Sequence, residues 1–332
     1  LENLTPAPFV DALLGYQQTA ALYAAVKLDL FSLVCAGTDT AEGIAAASGA
    51  APRGVRILAD YLTIRGFLEK SGQHYQPAPV TRAFLDRASP SCMSGIVDFL
   101  ASREMLGIYL DDPVSYVRNG GSPGLGNIAP DNSVWVTFAE AMGPFMGGQA
   151  NLVAEHVGAW NDRPRRVLDV AAGHGLFGIA VAKAIPDAEI TAVDWPAVLE
   201  VASANARRAG LDVRYHLCPG NAFDVDWGTG FDLVMLPNFL HHFDHDGCVA
   251  ILRRVRASLA PGGRTLAVEF VPNDDRVSPP MPGMFSFMML ASTPSGDAYT
   301  HAELEAMGRD AGYSSVTVAP LLPTPQTLAE FI

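Results

Sequence analysis

The chain of 332 residues carries 22 Lys and Arg against 35 Asp and Glu, a formal charge of −13, and is 49% apolar. That apolar share can build real cores, which excludes a disordered chain, a collagen-like fibre and a small disulfide scaffold, while the length suggests two folding units. An acidic chain repels phosphate backbones and anionic membranes alike, so neither nucleic acid nor membrane is expected as a partner.

From the amino terminus, Ala20, Ala21, Ala24, Leu28 and Phe31 recur at helical spacing and predict one long Ala-rich helix whose apolar stripe needs a cover. Thr40 caps a second helix that stops near Gly49, and Pro52 opens a third with Val55, Leu58, Ala59 and Leu62 on one face. Residues 66–70, a turn at Ser71-Gly72 and residues 74–76 then read as a short hairpin, so the order is helix, helix, helix, wing. Winged helices often bind DNA, and Arg53, Arg56 and Arg65 would be the groove and phosphate contacts. From Leu1 to Pro90, however, seven Lys and Arg face eight Asp and Glu with no basic stripe. A dimerisation module, its small apolar residues packing closely across two subunits, is the plainer reading.

A glycine- and proline-rich stretch from Arg118 to Pro130 marks a loop or flap. Beyond it, residues 166–171, 189–194, 213–217, 231–236 and 264–270 are short apolar runs with helix-like intervals between most of them, an order that predicts a parallel, doubly wound sheet. In such sheets ligands sit at the carboxyl ends of the strands, near the point where strand order reverses.

The first run leads into Asp169-Val170-Ala171-Ala172-Gly173-His174-Gly175-Leu176-Phe177-Gly178, a turn of small residues through which backbone can approach a ligand closely. Gly173, Gly175 and Gly178 satisfy GxGxxG, so a nicotinamide dinucleotide is a competing ligand. Asp169 before the glycines would repel a pyrophosphate and pair with an amino-acid ammonium. Asp194, ending the second run, can accept hydrogen bonds from both hydroxyls of a ribose. Pro219-Gly220-Asn221-Ala222-Phe223 offers a side-chain amide to an adenine edge. After the fourth run, Asn238-Phe239-Leu240-His241-His242-Phe243-Asp244-His245-Asp246 is the densest polar cluster. One histidine here could deprotonate a hydroxyl; alternatively His241 and His245, four apart, could share a metal. Glu269 ends the fifth run at the same rim and could orient the imidazole.

Together these pieces resemble the S-adenosylmethionine-dependent small-molecule O-methyltransferases of the plant caffeate and bacterial natural-product type, over nearly the whole chain. Residues 168–175 look like the family's cofactor loop, Val193-Asp194-Trp195-Pro196 its ribose-binding strand end, and Gly220-Asn221-Ala222-Phe223 its adenine-side turn. The resemblance implies an α/β fold: a Rossmann-like, class I methyltransferase sheet behind a winged-helix dimerisation domain. It implies three segments, residues 1–100 for dimerisation, 101–160 as a helical connector and 161–332 for catalysis. It puts the base at His241 with Glu269 beside it, the cofactor on Asp169, Gly173, Gly175, Asp194, Trp195, Asn221, Ala222 and Phe223, and the acceptor against Phe138, Met142, His242 and Met289. Four positions depart from the pattern: Ala171 replaces a usual glycine, Asn221 a common Asp, Pro237 the Lys of plant members, and the second flanking glutamate falls on Ala298, leaving that role empty or moved to Asp297.

The expected activity is methyl transfer from S-adenosylmethionine, leaving S-adenosylhomocysteine, to a hydroxyl of a phenolic or polyketide-like acceptor, by a homodimer. A sulfonium is already electrophilic, so no metal is expected, and a phenol of ordinary pKa about 10 gains from a base. The alternatives are C- or N-methylation or non-methylating chemistry on the same fold, a nicotinamide oxidoreductase, and a DNA-binding regulator. Cys35, Cys92, Cys218 and Cys248 are scattered without a CxxC pair, which fits a reducing cytoplasm. No run approaches a membrane span and no signal segment opens the chain, although its start on Leu1 suggests trimming or a fragment.

Overall fold

A computed structural model of the chain describes residues 5–123 and 134–332. It divides into two compact units, Leu1–Leu106 and Gly107–Ile332. Of the glycine-rich stretch, residues 124–130 lie outside the described part; ahead of them, Pro113–Asn119 is helical and ends at Gly120.

In the first unit the expected long helix is two, Gly15–Lys27 and Leu30–Cys35. The break is at Asp29, whose φ of 56° is left-handed; Asp tolerates that conformation better than most residues, so the apolar spacing runs on while the backbone turns. Thr40 caps Ala41–Ser48 by accepting the Gly43 N–H, Gly49 ends that helix in the left-handed region, and Pro52–Ile64 follows. The wing is the antiparallel pair β1 (Leu68–Ser71) and β2 (His74–Pro77), joined through Gly72 at φ 59°. Leu30, Phe31, Ile44, Val55, Ala59, Leu62, Leu68 and Tyr75 close the core between the helices and the hairpin.

The second unit is built on a sheet of β3 (Arg166–Val170), β4 (Glu189–Asp194), β5 (Tyr215–Pro219), β6 (Phe231–Pro237), β7 (Leu259–Glu269), β8 (Val316–Pro320) and β9 (Thr327–Phe331). Its order is β5-β4-β3-β6-β7-β9-β8. The first five strands are parallel, as the sequence pattern predicts, and the strand order reverses between β3 and β6, which lie side by side. The third strand starts later than expected, because Asp212–Arg214 form a tight turn. The sheet is also not purely parallel. β9 runs antiparallel between β7 and β8, an insertion no local signal announces because it depends on pairing across the fold. Leu168, Val170, Val193, Val234, Leu236 and Ala267 fill the sheet's core without exposure. Among the described residues no helix is long and apolar enough to cross a membrane.

The parallel strands bring Asp194, Pro237 and Glu269 to one rim. The loop after β3 is held tightly there. Gly175 has φ 75°, and a Cβ on it would lie 2.5 Å from the Tyr215 hydroxyl and 3.0 Å from the Ala202 Cβ. Gly175→Ala therefore combines left-handed strain with a clash, expected to cost about 2–4 kcal/mol. Thermal unfolding followed by circular dichroism should show a midpoint several degrees lower; an unchanged midpoint would mean that the loop relaxes freely.

Candidate active site

Asp169 sits near the end of β3 and is fully buried. Its Oδ2 accepts the Gly178 N–H at 3.0 Å, tying the strand to the helix Leu176–Ala184, while Oδ1 has no partner among the described residues. The Tyr215 hydroxyl is also buried without one. Burial pushes the Asp169 carboxyl up to about 8, against the pull of the Gly178 N–H and with a push from Asp194. Asp194 accepts the Gly173 N–H on Oδ2 at 2.8 Å and the Trp195 N–H on Oδ1 at 2.7 Å, and burial raises its carboxyl to about 6. Trp195 is the residue from which the helix Pro196–Arg208 springs. His174, held neutral by burial that lowers it to about 4, accepts the Leu176 N–H, and Asn205 donates to its carbonyl. The two acids and the glycine turn are thus one hydrogen-bonded assembly.

Asn221 spends its side-chain oxygen on the Phe223 N–H at 3.0 Å, closing its own turn. Phe223 packs on Phe239 and Phe243, with ring centroids 6.4 and 4.9 Å away. Ala222 packs against the same core.

Leaving β6, the chain passes through Asn238 at φ 56° into the short turn Leu240–His242. His241 Nδ1 and Glu269 Oε2 are 2.5 Å apart, both groups buried. The other oxygen, Oε1, accepts the Phe239 and Leu240 N–H groups at 3.0 and 2.8 Å. The carboxylate is therefore fixed by the backbone of the turn that carries its histidine. With Nδ1–H donated to Glu269, Nε2 keeps the lone pair, and among the described residues it takes no protein partner. The edge of Phe285 meets the imidazole 4.8 Å away, backed by Phe270 stacked on it at 4.1 Å. Gly296 presses on the turn from outside; a Cβ there would come within 2.1 Å of the His241 carbonyl. His242 lies beside His241 with ring centroids 4.4 Å apart, and Trp135 meets it edge-on at 5.7 Å.

Other expected residues are placed differently. His245 turns to Asp310 at 3.0 Å on the surface, so it does not converge with buried His241, and among the described residues no cluster of metal-ligating side chains forms. Asp244 caps the helix His245–Ser258. Ala298 is fully buried, and Asp297, at 3.2 Å from Arg276, spends its other oxygen on the Ala298 N–H. Its carboxylate is engaged at the surface. Phe138 makes an edge contact with Trp135 at 5.9 Å; Met142 and Met289 are buried, which core packing also explains. Trp135, Phe270, Phe285 and Gly296 carry no local motif, and only the fold brings them to the histidines.

Burial of Asp169 has a measurable consequence. In the folded chain it holds its proton up to about pH 8, whereas the unfolded chain ionises near 3.8, so folding takes up a proton in between. Stability of the cofactor-free protein should decline as pH rises through that window, with a slope approaching about 1.4 kcal/mol per pH unit from this group. Asp169→Asn, which keeps an oxygen for the Gly178 N–H, should flatten the decline; parallel slopes for both proteins in denaturant titrations from pH 5 to 8 would refute it.

The chain is similar to known proteins over most of its length. Residues 120–314 match the O-methyltransferase domain family, and residues 10–87 match the O-methyltransferase dimerisation domain. A crystal structure from Nostoc punctiforme PCC 73102, assigned to the O-methyltransferases, is 42% identical with a TM-score of 0.95, and the match covers 99% of each chain. Mouse acetylserotonin O-methyltransferase is 29% identical over 323 residues, 92% of this chain and 83% of that one. The 3-hydroxy-5-methyl-1-naphthoate 3-O-methyltransferase of Streptomyces sahachiroi is 28% identical over 94% of this chain and 90% of that one. These matches decide against the dehydrogenase alternative. The chain belongs to the O-methyltransferase family, whose members draw their methyl group from S-adenosylmethionine, and carries that family's dimerisation domain.

Proposed function

We propose that the protein, as a homodimer in the cytoplasm, methylates a hydroxyl of a small aromatic acceptor, with His241 as the base and Glu269 as its orienting partner. The observation that carries this is the buried 2.5 Å contact between His241 Nδ1 and Glu269, with the carboxylate locked by two backbone N–H groups. The relative from Streptomyces sahachiroi, by its name, methylates a naphthoate hydroxyl, which supports an aromatic acceptor. Exposed Phe9, Leu13 and Tyr16 on the first helices supply an apolar face for a second subunit, and the four cysteines are free.

The residues at the rim fit the cofactor. Asp169 Oδ1 is a buried oxygen without a partner among the described residues, which an ammonium would pair; Gly173 and Gly175 would let backbone come close, Asp194 and Trp195 would hold the ribose, and Asn221, Ala222 and Phe223 would line the adenine side. When bound, S-adenosylmethionine supplies a methyl group on a positively charged sulfur. His241 Nε2 would take the proton of the acceptor hydroxyl as that oxygen becomes the nucleophile. Glu269 keeps Nδ1–H and stabilises the imidazolium so formed. Phe285 and Phe270 wall the imidazole off from water, while Phe138, Met142, His242 and Met289 shape the acceptor's place.

His241→Ala should lower kcat by about 10²–10⁴, the usual contribution of a positioned base, with cofactor affinity within about twofold by calorimetry. Glu269→Gln, which keeps a hydrogen-bond acceptor without the charge, should lose most of the same factor. Wild-type turnover in His241→Ala, followed by product mass, would remove the histidine from the reaction.

A further inference from the structure

The Trp135 Nε1–H and His242 Nδ1 are both sealed from solvent, and neither has a hydrogen-bond partner among the described residues. An unpaired buried polar group is costly, and two of them in neighbouring rings beside the base are hard to reconcile with packing alone. The rings lie in sequence from the base: His241 to His242 at 4.4 Å, then His242 to Trp135 at 5.7 Å and 89°. Phe138 also meets Trp135 edge-on, at 5.9 Å. His241 is equally buried, at 5% exposure, although an acceptor oxygen must reach it. His242 touches both the base and Trp135, so the two unpaired atoms belong to rings beside the place an acceptor oxygen must reach.

The donor inventory fixes what can satisfy them. An indole N–H only donates, so the ligand must bring a lone pair. Burial and the neighbouring His241 hold His242 well below its ordinary value, so the ring is neutral and brings no positive charge to attract a carboxylate. A carbonyl oxygen has two lone pairs, takes a bond from the indole, and accepts a second from His242 in its Nδ1–H form.

We propose that Trp135 and His242 form a second polar subsite in the acceptor pocket that reads a neutral carbonyl oxygen, so that the preferred acceptor is a hydroxylated aromatic ketone rather than a plain phenol. This rests on the reading of His241 as the base beside which the acceptor lies. Sites built around hydrogen-bonding groups discriminate strongly against ligands that leave those groups unpaired.

The test uses matched pairs with one carbon skeleton: the 5-, 6-, 7- and 8-hydroxy-1-tetralones against 5,6,7,8-tetrahydro-1-naphthol and 5,6,7,8-tetrahydro-2-naphthol. Affinity is measured by calorimetry on the full protein saturated with S-adenosylhomocysteine. At least one tetralone should bind about tenfold or more tightly than its partner lacking the carbonyl, and Trp135→Phe, which keeps an aromatic ring without the N–H, should bring that ratio to within about threefold. Equal affinities in the wild type, no binding by any tetralone, a ratio that survives Trp135→Phe, or a loss shared equally by both members of a pair would each overturn the proposal. Methylation of a tetrahydronaphthol that is lost in His241→Ala, alongside any of those results, would retire the subsite and leave the base in place; absent methylation with tight tetralone binding would do the reverse.

Discussion

The site depends on a buried hydrogen bond between two residues 28 positions apart, His241 and Glu269. Removing an imidazole and a carboxylate from water is unfavourable unless each finds its partners. Here the carboxylate has three: the imidazole and two N–H groups of the turn that bears it. The arrangement is reciprocal, since the turn orients the carboxylate and the carboxylate fixes one tautomer of the ring. Parallel pairing of β6 with β7 makes it possible, because it brings both strand ends to one rim in register.

The glycine loop after β3 applies the same logic to backbone. Asp169 and Asp194 do not stand at the rim as free charges; each accepts N–H groups from the glycine turn or the helix start that follows it. Burial raises both carboxyls, so at neutral pH the loop without ligand keeps the Asp169 proton, and a cation at its mouth would favour the ionised acid. An acidic, apolar rim of this kind prefers a positively charged small molecule to a pyrophosphate, which agrees with the family to which the chain belongs.

The second flanking acid expected from the family's pattern has no counterpart at Ala298, and Asp297 is engaged with Arg276. The imidazole is confined instead by Phe285, stacked on Phe270, and by Gly296 against its carbonyl. These contacts confine the ring from the side of the Phe285 helix and the Gly296 loop. With Glu269 already anchored by backbone, a single acid suffices to hold the tautomer.

Much of this was legible along the chain, because the signals are local. Thr40 and Gly49 bound a helix through capping and left-handed backbone, the glycine turn after β3 needs small residues wherever it occurs, and Asp194, His241 and Glu269 follow apolar runs that can only be strands. What stayed hidden depends on neighbours remote in sequence. The break at Asp29 leaves the apolar spacing intact, and β9 finds its place only by pairing between β7 and β8. Asp169, which reads as a free acid, is buried because Gly178 and Tyr215 close over it. Trp135, Phe285 and Gly296 reach the histidines from helices and loops more than forty residues away. Sequence determined which groups are available at the strand ends; tertiary structure decided which of them are buried, paired or left without a partner, because desolvation and hydrogen bonding belong to the packed chain and not to any segment of it.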